Sequence, residues 1–186
     1  RHSFPTRRSS DLYSRRAARV LSAMASEGAG STAVVNFVHP WISYLRSRPI
    51  PERIAWAWEN LPTNYVADRD GDNWQPAWLT LTRGAGDCED WAVLLAAILK
   101  VLGVTASVGV MPGHAAVFVP LVDVHWPFQF SNPNALPAHW RIVTDCGHKY
   151  LALESTTLPS RRGVPGSSDE LIRPWLNTNH LWIGAA

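Results

Sequence analysis

The sequence predicts an α+β fold, in which N-terminal helices and a central cysteine-bearing helix pack on an antiparallel sheet. Three observations carry that prediction. The first hundred residues hold mostly helix-period segments. One of these repeats Trp91, Leu94, Leu95, Ile98 and Leu102 at helical spacing behind a capped start. Short β-rich runs separated by turn residues follow it, and helices first with strands after is the order of an α+β plan.

The elements read in order as follows. Ala17 to Ala25 and Ala33 to Arg46 are predicted helices, split by a turn at Gly28–Gly30 and interrupted at Pro40. Pro51-Glu52 opens a third, with Ile54, Ala57, Trp58 and Leu61 on one face, and Pro62 stops it. Tyr65 to Asp72 is polar and turn-rich, and Trp74 to Leu81 is a short helical or irregular approach. Asp87 suits an N-cap, Asp90 suits the first turn, and Gly103 closes the central helix. Val104–Met111 and His114–Val119 are expected strands around a Pro112-Gly113 turn. Asp123 to Ala138, with its prolines, reads as a surface excursion. Arg141–Thr144 and Lys149–Thr157 are expected strands flanking a Cys146-Gly147-His148 turn. Ser160 to Ser168 is a Gly/Ser/Pro loop ahead of a short C-terminal helix, and no internal repeat is present.

The 186 residues carry a net charge of +2. His2 to Leu12 (HSFPTRRSSDL) matches the translation of a common sequencing-adapter string, so residues 1–12 are expected to be extraneous to the fold. Arg1, Arg7, Arg8 and Asp11 account for the whole +2, so the remainder is neutral and nothing points to nucleic acid. What is left suffices for a full core. It divides into an N-terminal helical segment, residues 13–49, and a main domain, residues 50–186. Ten tryptophans and 14 prolines suggest a loop-rich fold with aromatic packing. No apolar run approaches the ~20 residues of a membrane span. Two cysteines allow at most one disulfide and no disulfide framework.

The chemistry concentrates at Gly84-Ala85-Gly86-Asp87-Cys88-Glu89-Asp90-Trp91. Cys88 is expected in the first turn of a helix, where unpaired N–H groups and the positive dipole end favour a thiolate, the nucleophilic form. A thiolate nucleophile needs a base, a group that orients the base, and oxyanion donors. His114, at a strand start, shares a face with Ala116 and Phe118 and is expected to point at the helix packed on the sheet. Glu154, in the strand Tyr150–Thr157, shares a face with Tyr150 and Ala152. A buried carboxylate is costly unless paired, and an imidazolium next door would pair it. Asp87, Glu89 and Asp90 read as cap and local structure.

Gly86-Asp87-Cys88-Glu89-Asp90 before a Leu/Ala helix, Gly113-His114-Ala115 before an apolar strand, and Tyr150–Glu154 followed by Ser-Thr-Thr together resemble the transglutaminase-like cysteine peptidase superfamily. The resemblance covers roughly residues 50–160 and is closer to prokaryotic members, because the acid is a glutamate. It implies a papain-like core and a Cys88–His114–Glu154 triad acting through a thioester on peptide or isopeptide amides of a protein or peptide substrate. It also implies an upstream oxyanion donor, Trp74 or Gln75, beside the Cys88 N–H. Neither a cofactor nor a metal is called for. Hydrolysis is the expected fate of the thioester, and transfer to a lysine amine, as in a crosslinking enzyme, is the alternative. Two other readings compete. Cys88, His114, Cys146 and His148 would make a Cys₂His₂ metal set, although Cys88 lacks the near neighbour of C-x₂-C sites. A catalytically silent binding module would keep the same fold. Compartment and oligomeric state are not legible.

Overall fold

A computed structural model describes residues 7–61, 64–68, 73–111, 113–123, 140–156 and 182–184. Pro62, Pro112, the 124–138 excursion, the 160–168 loop and the C-terminal helix lie outside the described residues.

Helix α1 spans Arg7–Ala29, so it starts ten residues before the predicted Ala17 and takes in part of the adapter-like segment. Ala17, Ala18, Leu21 and Ala25 supply its buried stripe. Ser31 caps α2 (Thr32–Val38), its hydroxyl accepting the Val34 N–H. Pro40 converts the predicted continuation into one 3₁₀ turn (His39–Trp41), since proline cannot donate to a helical ladder, and α3 (Ile42–Arg46) follows. Helix α4 (Ile50–Glu59) carries Pro51 in its first turn, and Ile54, Ala57 and Trp58 face inward.

Strand β1 (Asn64–Tyr65) replaces part of the expected turn. It pairs in parallel with β2 (Ala85–Gly86), which sets Tyr65 beside the approach to Cys88. Between them lies α5 (Ala77–Arg83), closed by Gly84 in the left-handed conformation.

Helix α6 (Cys88–Val101) is the central element. It is apolar on every side, and Trp91 to Leu99 are completely buried, as expected of a helix enclosed by its neighbours. It packs against α1, α2, α4 and α5 and against β4 (His114–Pro120). The sheet order is β5-β6-β4-β3-β7, antiparallel throughout, with β3 Ser107–Met111, β5 Trp140–Asp145, β6 His148–Leu153 and β7 Trp182–Ile183. The architecture is therefore mixed helix and antiparallel sheet, as expected of the α+β class. The N-terminal helices share one apolar cluster with α6 and with Ala115, Val117, Val119, Leu151 and Leu153 of the sheet.

A second cluster, Met111, Ala116, Phe118, Val143 and Ala152, covers the opposite face of the sheet. Helix α1 also grips the sheet through Ser22, whose hydroxyl accepts the Val108 N–H at 2.9 Å and donates to the Val108 carbonyl at 3.3 Å. Cys146 and Gly147 form the two-residue β5–β6 turn, both with positive φ, as that turn demands.

Candidate active site

Three chain segments converge at the start of α6. The first is the helix start itself. Asp87 and Asp90 form a reciprocal capping box, which fixes Cys88 as the first helical residue. Gly86 is required there because a Cβ would lie 2.6 Å from that of Asp90. Trp91 Nε1 donates to the Gly86 carbonyl at 2.7 Å and ties the approach to the helix.

The second segment is β4. Antiparallel register places Val117 opposite Leu153, so His114 and the residue after β6 arrive at the same end of the sheet. His114 Nε2 hydrogen-bonds to Glu154 Oε2 in a pair that is 7% and 1% exposed. The other carboxylate oxygen accepts the Thr156 N–H at 2.8 Å and the Thr156 hydroxyl at 2.6 Å. With three donors, the buried carboxylate is fully satisfied and accepts the Nε2 proton. That tautomer leaves Nδ1 as the ring's acceptor.

Two sequence expectations are corrected here. Glu154 lies just past β6 rather than inside a strand, because its carbonyl goes to Trp58 Nε1 at 2.7 Å and its carboxylate turns the chain back onto Thr156. The face shared by Ala116 and Phe118 belongs to the second cluster, away from α6. Strand alternation therefore does not aim His114 at the helix. Its position at the end of β4 brings it to the site instead.

The third segment is β1, carrying Tyr65. Burial first, then the charges of Cys88, Asp87, Glu89 and Glu154, push its hydroxyl up to about 12. All four therefore lie within electrostatic reach of one phenol.

Cys88 is buried, 9% exposed, and unbonded to Cys146. Its thiol donates to Glu89 Oε2 at 2.8 Å, and the Ala115 main chain hydrogen-bonds to the sulfur. Among the described residues no hydrogen bond joins Cys88 to His114. Burial, then the Glu89 charge and hydrogen bond, push the thiol well above its ordinary range, and the Ala115 contact only opposes them. This overturns the expected depressed thiol. A helix N-terminus offers about half a positive charge, whereas Glu89 brings a full negative one into contact with the sulfur.

Of the proposed oxyanion donors, Gln75 is otherwise engaged. Its main-chain N–H donates to Asp90 Oδ1 at 2.7 Å, its side-chain amide donates to Asp90 Oδ2, and its oxygen accepts from Arg83 at 3.1 Å. Gln75 braces the helix cap. Trp74 is half-buried against the apolar cluster that includes Cys88. Burial raises the Asp90 carboxyl, and the Gln75 donors pull it back.

The metal reading is not assembled. Cys146 and His148 sit exposed at the β5–β6 turn, beyond the Pro120 end of β4, and the seven residues of β4 put some 20 Å between that end and His114. Among the described residues no three His, Cys, Asp or Glu side chains gather to hold a metal ion. Among them too, no helix is long and apolar enough to cross a membrane.

Sequence reasoning missed Trp58, Tyr65, Glu89 and Thr156 as site residues. Only Glu89 carried a local signal, its adjacency to Cys88.

Asp87 supplies a pH test. Burial, then Glu89 and Asp90, push its carboxyl from 3.8 up to about 7. In that interval the folded chain holds a proton that the unfolded chain has lost. The contribution of Asp87 to stability is thus full below about pH 4 and is lost as pH rises through about 7. Asp87→Asn retains an N-cap side chain and is expected to flatten this fall, read from urea midpoints at pH 4 and 8. A slope equal to that of the wild type would refute the assignment.

No family model, curated protein or solved structure matches the chain.

Proposed function

We propose that the protein is a thiol-dependent acyl-transfer enzyme acting on peptide or isopeptide amides, with Cys88 as nucleophile, His114 as base and Glu154 as its orienting acid. The observation that supports this best is the His114–Glu154 pair. A buried imidazole held through Nε2 by a carboxylate with two further donors is oriented and polarised as a general base requires. Cys88 lies against Ala115, the next residue along the chain.

In this reading the thiol proton passes to His114 Nδ1 as sulfur attacks the amide carbonyl. Glu154 stabilises the imidazolium, the Cys88 N–H at the helix start receives the oxyanion, and His114 returns the proton to the departing amine. The second oxyanion donor is assigned to Trp74. The raised thiol argues for proton transfer during attack rather than a resting thiolate–imidazolium pair. Water completes the hydrolytic cycle, and a lysine amine would complete a crosslinking one. The cysteine at a helix start and the histidine at a strand end support the reading of a papain-like, transglutaminase-like core.

Incubation with a pool of peptide amides, quenching in acid and intact-mass analysis is expected to show an acyl adduct on the wild type and none on Cys88→Ala. The absence of any added acyl mass on the wild type would favour the silent binding module. That second reading has one observation behind it, the Glu89 contact that quenches the thiol.

A further inference from the structure

We infer that Glu89 is a latch on Cys88: its carboxylate holds the thiol proton away from His114, and releasing that contact sets how fast the sulfur reacts. The inference takes its catalytic meaning from the reading of Cys88 as nucleophile. Its physical content concerns the thiol alone.

The geometry is specific. Cys88 and Glu89 are consecutive residues at the start of α6, and consecutive helical positions do not face one another. Contact at 2.8 Å between Sγ and Oε2 requires the glutamate side chain to turn back across the helix start. A thiol has one proton and donates one hydrogen bond, so Glu89 and His114 Nδ1 compete for it. In the resting arrangement Glu89 holds it, while the imidazole is secured on its other nitrogen by Glu154. Glu89 is the more exposed partner, so the contact lies on the side from which a substrate must come.

The surroundings reinforce the latch. Asp87 and Asp90 flank it on the helix start, Tyr65 on β1 lies within electrostatic reach of Cys88, Asp87, Glu89 and Glu154, and Asp68 adds its charge at Asp87. None of these groups carries a positive charge. A thiolate formed while Glu89 is in place would meet the Glu89 charge directly, with Asp87 adding to it. Moving Glu89 away removes the nearest charge and frees the proton for Nδ1 in one motion. Asp87, which hydrogen-bonds to Glu89, keeps the latch oriented.

The test compares iodoacetamide alkylation of wild type, Glu89→Gln, Glu89→Ala and His114→Ala, mapped to Cys88 by peptide mass. Exposed Cys146 serves as internal reference. In this reaction the thiolate displaces iodide and the thiol proton is lost to solvent. Gln keeps the shape and removes the charge, and Ala removes the contact. Both Glu89 variants are expected to alkylate at Cys88 about tenfold faster at pH 7, with the rate midpoint about one pH unit lower, while Cys146 rates and thermal midpoints hold. A gain below about threefold in both variants, or a gain accompanied by a lower thermal midpoint, overturns the latch. His114→Ala reports separately on the triad. Added to Glu89→Gln, where the proton is free for Nδ1, it is expected to slow alkylation again; if the double variant alkylates as fast as Glu89→Gln alone, the triad reading fails and the Glu89 comparison is unaffected.

Discussion

Glu154→Gln is expected to lower kcat on an amide substrate by about 10⁴-fold while the protein stays folded. The carboxylate makes three contacts, two to Thr156 through Oε1 and one to His114 Nε2 through Oε2. A glutamine can keep both Thr156 bonds with its carbonyl oxygen. Its NH₂ then faces His114 Nε2 and must donate, which forces the ring proton onto Nδ1. The histidine remains buried and hydrogen-bonded, but it no longer accepts a proton where the thiol would deliver one. Glu154→Ala differs. It strands the His114 ring and the Thr156 donors in a buried site, and a loss of about 3–5 kcal/mol is expected. Steady-state kinetics and thermal melts of the two variants separate these effects. Glu154→Gln within about tenfold of wild type would make the glutamate a strut for the β6 exit and remove it from the proposed mechanism.

The second large effect is on stability. Gly109→Ala is expected to cost about 3 kcal/mol, lowering the thermal midpoint by about 10 °C. Phe118, paired through the β3–β4 register with Ser107, lies over Gly109 two positions along. A Cβ there would sit 2.3 Å from Phe118 Cε2 and 2.6 Å from Cδ2. The ring is 1% exposed and enclosed by Met111, Ala116, Val143 and Ala152, so it has nowhere to swing. Adding Phe118→Leu to Gly109→Ala should recover part of the loss, since the smaller side chain opens the space the new methyl needs. A midpoint within about 2 °C of wild type for Gly109→Ala alone would refute the close approach.

Gly109 also shows how much was legible beforehand. In the sequence it is a glycine within a strand-like run, and nothing local names the ring that covers it. The central helix is the contrary case. Asp87, Asp90, the apolar repeat from Trp91 to Leu102 and Gly103 all act within a turn or two of their own position, so cap, body and stop were readable. The β5–β6 hairpin was readable for the same reason, because its turn is set by two adjacent residues. The face of β4 was not. Which side of a strand meets a helix depends on where the helix docks, and alternation alone leaves both sides open.

The candidate site divides in the same way. By itself the sequence determined that a cysteine opens a capped helix, that a histidine follows at the start of a strand, and that a glutamate comes later in the chain. These are consequences of local periodicity and chain order. Only the tertiary structure decided how they are used. It buries Glu154 and His114 as a satisfied pair, draws in Trp58 and Thr156 to hold the acid, spends Gln75 on the Asp90 cap, and turns Glu89 onto the thiol. Whether Cys88 rests as thiol or thiolate is decided by burial and by a carboxylate less than 3 Å away. Both depend on side-chain packing in three dimensions. The helix dipole that the sequence announces is a weaker field than the charge the fold places beside it.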